Sequence, residues 1–233
     1  MDKKFWHDRW EGNQIGFHQE AINHYLQQYW STLHQPADTR VFVPLCGKSR
    51  DMLWLLEQGY QVLGIELSPI AVEAFFQENH LKPVISKQNG LEQWSCDELV
   101  IMCGDFFSLT PESVADCQSI YDRASLIAMP PAMRPAYAEK MHQLFPVPRP
   151  TLLISMTYPQ DEMKGPPFSV TDEEVQSFYS AHNDIHTLLT EDILEQNPRF
   201  KERGLSQLSE TVYRLTPKTY RSNQDQRLTL KHL

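Results

Sequence analysis

Arg40-Val41-Phe42-Val43-Pro44-Leu45-Cys46-Gly47-Lys48-Ser49 decides how this chain is read. Its apolar first half has the make-up of a short buried strand, Pro44 to Gly47 form a turn, and an amphipathic run follows. Nineteen residues after Gly47, a second apolar run, Val62-Leu63-Gly64-Ile65, stops at Glu66. A strand, a glycine turn, a helix and an acid at the tip of the next strand make half of a nucleotide-binding βαβ unit. Glycine lets the backbone approach a ligand with no side chain in the way. A carboxylate at the strand tip can accept from both hydroxyls of a ribose. The same spacing also fits a solvated acid at a strand end.

Two commoner phosphate-binding readings fail. A P-loop needs a glycine five residues before Gly47, where Phe42 stands, and the G-x-G-x-x-G dinucleotide fingerprint is absent. What remains is a turn for a nucleoside without a pyrophosphate. S-adenosylmethionine, with its adenosine, sulfonium and amino-acid tail, is such a ligand.

Working outward, residues 19–34 carry a helical period through Ile22, Tyr25, Leu26, Tyr29, Trp30 and Leu33. Strands are expected at 40–44 and 61–66, with a helix over 49–58 between them. Ser68-Pro69 opens a helix reaching about His80. Strand-like runs follow at 98–102, 119–121 and 151–157, with a helix over 134–145 before the last. Thr171-Asp172-Glu173-Glu174 is a capping box, so a helix is expected over 172–181. Two strand-like runs, 185–189 and 210–215, then close the pattern as an antiparallel pair. The expected fold is α/β, a doubly wound, seven-stranded, mostly parallel sheet of the class I methyltransferase type. One domain should span 1–217, with an N-terminal lid segment and helix over 1–35 and a polar tail over 218–233.

Composition narrows the function. The 233 residues carry a net charge of −9, from 21 basic and 30 acidic residues, which disfavours a nucleic-acid or anionic-membrane surface. Cys46, Cys96, Cys103 and Cys117 form no C-x-x-C pair, so free thiols are expected. His182 and His186, four apart, are a weak metal pair because Asn183 and Asp184 disfavour a helix there, and no metal is expected. No apolar stretch approaches the ~20 residues that span a bilayer. These features predict a cytoplasmic, monomeric protein that handles small molecules.

Further candidates sit at strand ends. In Gly104-Asp105-Phe106-Phe107, Asp105 suits an adenine amino group and Phe106 its ring, or the pair is a turn acid followed by core aromatics. In Tyr121-Asp122-Arg123-Ala124, a charged pair ends a central strand, either used by a ligand or paired with itself at the sheet rim. Trp6, Trp10 and Phe17 precede the first long helix as packing residues or as a lid.

Together these elements resemble the thiopurine S-methyltransferase family, in its bacterial branch. The resemblance runs through Trp6-His7-Asp8-Arg9-Trp10, Phe17-His18-Gln19-Glu20, the Pro44-Leu45-Cys46-Gly47-Lys48 turn, Gly64-Ile65-Glu66-Leu67-Ser68, Asp122-Arg123-Ala124-Ser125-Leu126 and Gly165-Pro166-Pro167-Phe168. It implies roles residue by residue. Trp10 and Leu45 pack around S-adenosylmethionine, Gly47 admits its tail, Glu66 binds the ribose, and Asp105 and Phe106 hold the adenine. Arg123 reaches the junction of cofactor and acceptor and favours a thiolate. Phe17 and Phe168 wall the acceptor pocket, and Arg199 is a second cation near it. The implied reaction is metal-free methyl transfer to the sulfur of thiopurines and other aryl or heterocyclic thiols, with selenium and tellurium oxyanions as further acceptors. Halide or thiocyanate methylation, and cofactor binding without catalysis, are the alternatives.

Overall fold

Nine strands form one sheet in the computed structural model, which describes residues 3–16, 18–88 and 90–218. They are β1 (Arg40–Val43), β2 (Gln61–Glu66), β3 (Val84–Gln88), β4 (Leu91–Cys96), β5 (Leu99–Cys103), β6 (Cys117–Arg123), β7 (Thr151–Thr157), β8 (Asn183–Asp192) and β9 (Ser209–Pro217). The helices are α1 (Lys3–Glu11), α2 (His24–Tyr29), α3 (Asp51–Glu57), α4 (Pro69–Glu78), α5 (Ser125–Ala128), α6 (Arg134–Leu144), α7 (Asp172–Tyr179) and α8 (Pro198–Glu202). The sheet order is β3-β4-β5-β2-β1-β6-β7-β9-β8.

β1 lies between parallel β2 and β6, and the parallel block continues to β5 on one side and β7 on the other. Such strands are covered on both faces, so they read as continuous apolar runs. On one face Val41, Val62, Ile101 and Ile154 pack with Met52 and Leu55 of α3 and Phe75 of α4. On the other, Phe42, Leu63, Met102 and Leu153 pack with Tyr137 and Met141 of α6 and Val175 of α7. The helices start where capping chemistry allows. The Ser68 side chain accepts from Ala71 N–H ahead of Pro69, and Thr171 and Glu174 form the expected reciprocal cap.

Two expectations are corrected. The sheet has nine strands rather than seven, because the antiparallel hairpin β3–β4 precedes β5. Without it, the order β5-β2-β1-β6-β7-β9-β8 is the expected seven, closed by antiparallel β9. β3 is exposed along its whole length and shows no apolar alternation, although Asn89-Gly90 in the sequence is a strong hairpin signal. Second, the helical period over 19–34 yields only α2 and a 3-10 turn, Trp30–Leu33. Asn23 stops the helix going further back, since its side chain accepts from Tyr25 and Leu26 N–H while its own N–H donates to Asp51. β8 begins at Asn183, so His182 and His186 share no helix, as Asn183 and Asp184 led one to expect. Among the described residues no helix is long and apolar enough to cross a membrane. All four cysteines are free. The tail expected after Pro217 lies, from residue 219 on, outside the described residues.

β2 must pass close under the turn that follows β1, and Gly64 permits it. A Cβ there would sit 2.8 Å from the buried Cys46 Sγ and 3.3 Å from Met52 Sδ. Gly64→Ala is expected to lower stability by about 1–3 kcal/mol through overpacking. Adding Cys46→Ala should return part of that loss. Denaturant unfolding of the four variants of the cycle checks it, and strictly additive losses would refute the contact.

Candidate active site

A cavity of about 440 Å³ opens at the carboxyl ends of the parallel strands. This is the crevice where open α/β sheets bind ligands, at the point where the chain winds away from β1 in both directions. It is lined from the β1–α3 turn, the tips of β2, β6 and β7, the Asp105–Phe107 segment, α1, and Arg199 to Arg203.

At one end the Pro44–Ser49 turn is held from beneath by Glu66. Gly47 N–H donates to Glu66 Oε2 at 2.9 Å and Ser68 N–H to Oε1 at 2.7 Å. Each oxygen keeps a further lone pair, so the carboxylate can still accept from two hydroxyls. Burial pushes the Glu66 carboxyl up to about 6, against the backbone N–H groups of Ser68, Gly47 and Leu67. Gly47 has φ of 54°, and Leu45 adopts 47°, which costs a non-glycine residue about 1–2 kcal/mol. α1 lies across this turn. A Cβ on Gly47 would meet the Trp10 ring at 3.6 Å, and Trp10 and Leu45 both line the cavity. Lys3, at the start of α1, forms an ion pair with Asp105 at 2.8 Å.

Asp105 caps the turn that follows β5, its Oδ1 accepting from Phe107 N–H at 3.0 Å. Phe106 borders the cavity, yet it is only 2% exposed and stacks on Tyr137, with centroids 4.9 Å apart and planes at 29°. It is therefore largely a core aromatic. The partly buried Phe107, also at the cavity, was not singled out by the sequence.

Asp122 and Arg123 do not pair with each other. Successive side chains of a strand point to opposite faces. Asp122 goes under the sheet and accepts from the Tyr137 hydroxyl at 2.8 Å, and burial raises its carboxyl to about 6. Arg123 faces the cavity, where its Nε donates to Asp51 Oδ2 at 2.7 Å, Nη2 to Ser49 Oγ at 3.0 Å and Nη1 to Gln19 Oε1 at 3.3 Å. The guanidinium also lies beside the Tyr121 hydroxyl, and its five N–H groups still exceed these partners.

Beyond Arg123 the walls are Ile127, Met156, Pro166 and Pro167, with Arg199, Arg203 and Glu210 at the rim. Phe168 is not among the lining residues. Its ring lies on Gly165, where a Cβ would meet it at 2.5 Å, and its N–H donates to Ile127 O at 2.7 Å. The two preceding prolines form the wall in its place. Arg199 Nη1 donates to Gly16 O, and its guanidinium lies 4.9 Å over the Phe200 ring, which ties α8 to the N-terminal segment. Phe17 lies outside the described residues. Its neighbour His18 lines the cavity, and burial followed by the Lys48 ammonium pushes its imidazole below the ordinary value. His18, Met156, Arg203 and Glu210 were not picked out as site residues: strand order brings Met156 and Glu210 to the crevice, and the packing of the N-terminal segment and of α8 brings His18 and Arg203.

The family profile described as thiopurine S-methyltransferase matches residues 1–218. A thiopurine S-methyltransferase of Nitrosospira multiformis is 48% identical over 219 residues, covering 94% of this chain and all of that protein. One from Pseudomonas fluorescens is 48% identical over 215 residues, covering 92% of this chain and 99% of its own. Among solved structures, a SAM-dependent methyltransferase from Anabaena variabilis aligns with a TM-score of 0.60 at 12% identity, covering 93% of this chain and 95% of that one. The 1,6-didemethyltoxoflavin-N1-methyltransferase of Burkholderia thailandensis, solved with S-adenosylhomocysteine, aligns at 0.58 and 17% identity over 91% and 86%. These distant likenesses establish the fold, that of an S-adenosylmethionine-dependent methyltransferase. The full-length match and the close relatives place the chain in the thiopurine S-methyltransferase family.

Proposed function

We propose that the protein methylates the sulfur of aromatic and heterocyclic thiols, using S-adenosylmethionine as donor. One observation carries the reading. A single cavity joins a nucleoside-type end, built on Gly47 and Glu66, to an apolar end walled by Ile127, Met156, Pro166 and Pro167, with Arg123 between them. The donor supplies a methyl group on a sulfonium and leaves as a neutral thioether. Glu66 would hold the ribose hydroxyls, the Gly47 turn the amino-acid tail, and Asp105 the adenine amino group. Trp10 would cover the nucleoside.

An acceptor that binds as a thiol reacts best once ionised, because a thiolate is the far better nucleophile. Burial works against the Arg123 charge, but the Asp51 carboxylate beside it holds the guanidinium firmly protonated. Its remaining N–H groups can therefore favour and orient a thiolate. The apolar walls keep water from competing, and holding the sulfur in line with the methyl carbon supplies much of the rate. Arg199 and Arg203 at the rim also suit an oxyanion, which supports selenium and tellurium oxyanions as a second acceptor class. Transfer of labelled methyl to 6-mercaptopurine, and in parallel to selenite, tests the reading. Failure with both while the donor still binds would refute it.

Ribose binding should favour the ionised form of Glu66. Donor affinity is then highest above about pH 6 and weakens as the pH falls through the raised carboxyl value. Glu66→Gln should cost roughly 10- to 100-fold in affinity and remove that acid dependence. Calorimetric titration across this pH range decides it, and a wild-type affinity that ignores pH would rule Glu66 out.

Arg123→Lys keeps a cation beside Asp51 but loses the planar fork. The expected result is a fall of about 10- to 100-fold in kcat/KM for an aryl thiol, with donor affinity largely retained. A variant with wild-type rate and pH profile would remove Arg123 from the acceptor site.

A further inference from the structure

The cavity has two ends because the sheet has an order. Its nucleoside end spans the tips of β1, β2 and β5, and its far end spans β6, β7 and β9. β9 is three strands from β1, about 14 Å away at the usual strand spacing. Glu210 pairs with Met156 across β7 and β9, and both border the cavity. Glu210 is half-buried in a cavity that Ile127, Met156, Pro166 and Pro167 also line, and a carboxylate so placed is costly unless it is paired or used. Nucleoside recognition has no call on it, since Glu66 stands at the opposite end.

The groups facing Glu210 are known. Arg123 comes from β6, Glu191 from β8 and Tyr25 from α2, while Arg199 and Arg203 border the same end of the cavity. Glu191 is its direct cross-strand partner, and the Tyr25 hydroxyl donates to Glu191 Oε2 at 2.8 Å. Burial above all, and then Glu191, raise the Glu210 carboxyl above its ordinary value, against Arg123 and the Tyr25 hydroxyl. Only β7 separates Glu210 from Arg123, roughly 10 Å of backbone that the two long side chains can cover between them.

We propose that Glu210 is a catalytic base and selectivity residue for one class of acceptor: heterocycles in the thione form, which carry a ring N–H beside the C=S carbon. The proposal rests on the thiol-methyltransferase reading above. In a thione the proton that must leave is on nitrogen, so a cation at the sulfur does not suffice. The acceptor sulfur forms the new C–S bond as the methyl–sulfonium bond breaks, and that bonding pair returns to the donor sulfur. The ring N–H proton passes to a Glu210 oxygen. The N–H pair becomes the ring C=N bond while C=S becomes C–S. The donor product and the methylated ring both leave neutral, and Glu210 then releases its proton to solvent. Arg123 keeps its charge throughout and holds the sulfur as negative charge gathers there.

Glu210→Gln keeps the shape and removes the base. The test compares kcat/KM at saturating S-adenosylmethionine for 6-mercaptopurine, a thione, and for 4-nitrothiophenol, which is ionised at neutral pH and has no ring N–H. The expected result is a thione-to-thiolate rate ratio that falls on the order of 100-fold. The acid limb of the thione pH–rate profile, where the carboxylate would become protonated, should also disappear. Any effect of Glu66 bears on both acceptors alike and cancels in the ratio, and S-adenosylmethionine affinity like that of the wild type checks the fold. An unchanged ratio, or an equal loss for both acceptors, overturns the proposal. Wild-type protein that methylates neither compound refutes the thiol reading itself and this proposal with it, an outcome visible before any variant is made.

Discussion

Asp51 is the point on which the site depends. It opens α3, is 1% exposed, and accepts from three directions: Asn23 N–H at 2.8 Å on Oδ1, and the Tyr121 hydroxyl at 2.9 Å and Arg123 Nε at 2.7 Å on Oδ2. A charge buried so completely survives only when it is paired and hydrogen-bonded. Asp51 has both, and its place in the first turn of a helix adds a favourable dipole. Removing one partner of such a pair typically costs about 3–5 kcal/mol, because the other charge is left stranded. Here the stranded charge would lie at the cavity. The same carboxylate therefore joins the cap of α2, the tip of β6 and the start of α3, and sets the angle at which Arg123 meets a ligand.

The strand alternation that sends Arg123 up sends Asp122 down, and this makes the Asp-Arg dipeptide two anchors rather than one ion pair. Below the sheet, Asp122 takes the Tyr137 hydroxyl, and the Tyr137 ring stacks on Phe106. Phe106 begins the turn that Asp105 caps, and Asp105 holds Lys3 of α1. A chain of contacts thus runs from the underside of β6 to α1, which lines the cavity above the Pro44–Ser49 turn. It gives a physical reason for a core aromatic to sit beside a ligand-facing acid: its ring belongs to the packing that positions that acid.

Much of this was legible in the sequence, for reasons that also explain what was not. β1, β2, β6 and β7 are buried on both faces, so each declares itself as an apolar run. Glu66 was readable because its position at a strand tip is fixed by the apolar run before it. The β3–β4 hairpin was missed because exposed β3 has no burial to impose a pattern, although its Asn89-Gly90 turn signal was there to be read. α2 came out short because Asp51, 28 residues away, captures the N–H of its capping residue. Phe168 resembled a wall residue but lies on Gly165, and no spacing rule distinguishes its ring from the two prolines before it. Glu210 stayed hidden for a topological reason: it reaches the crevice only because β9 returns beside β7.

The poverty of glycine in the Pro44–Ser49 turn follows from the ligand it suits. A pyrophosphate loop must turn its backbone N–H groups outward, toward the anion, and needs glycine to do so. A nucleoside without a pyrophosphate makes no such demand, so Gly47 N–H turns inward to Glu66, and Cys46 N–H to Ile65 O at 3.0 Å. The turn is thereby shaped before any ligand arrives, and the carboxylate that shapes it keeps lone pairs free to accept. On the cavity side glycine is favoured at Gly47, because its φ is positive. Leu45, held in a similar conformation, supplies in return an apolar side chain to the cavity wall, which a further glycine would not.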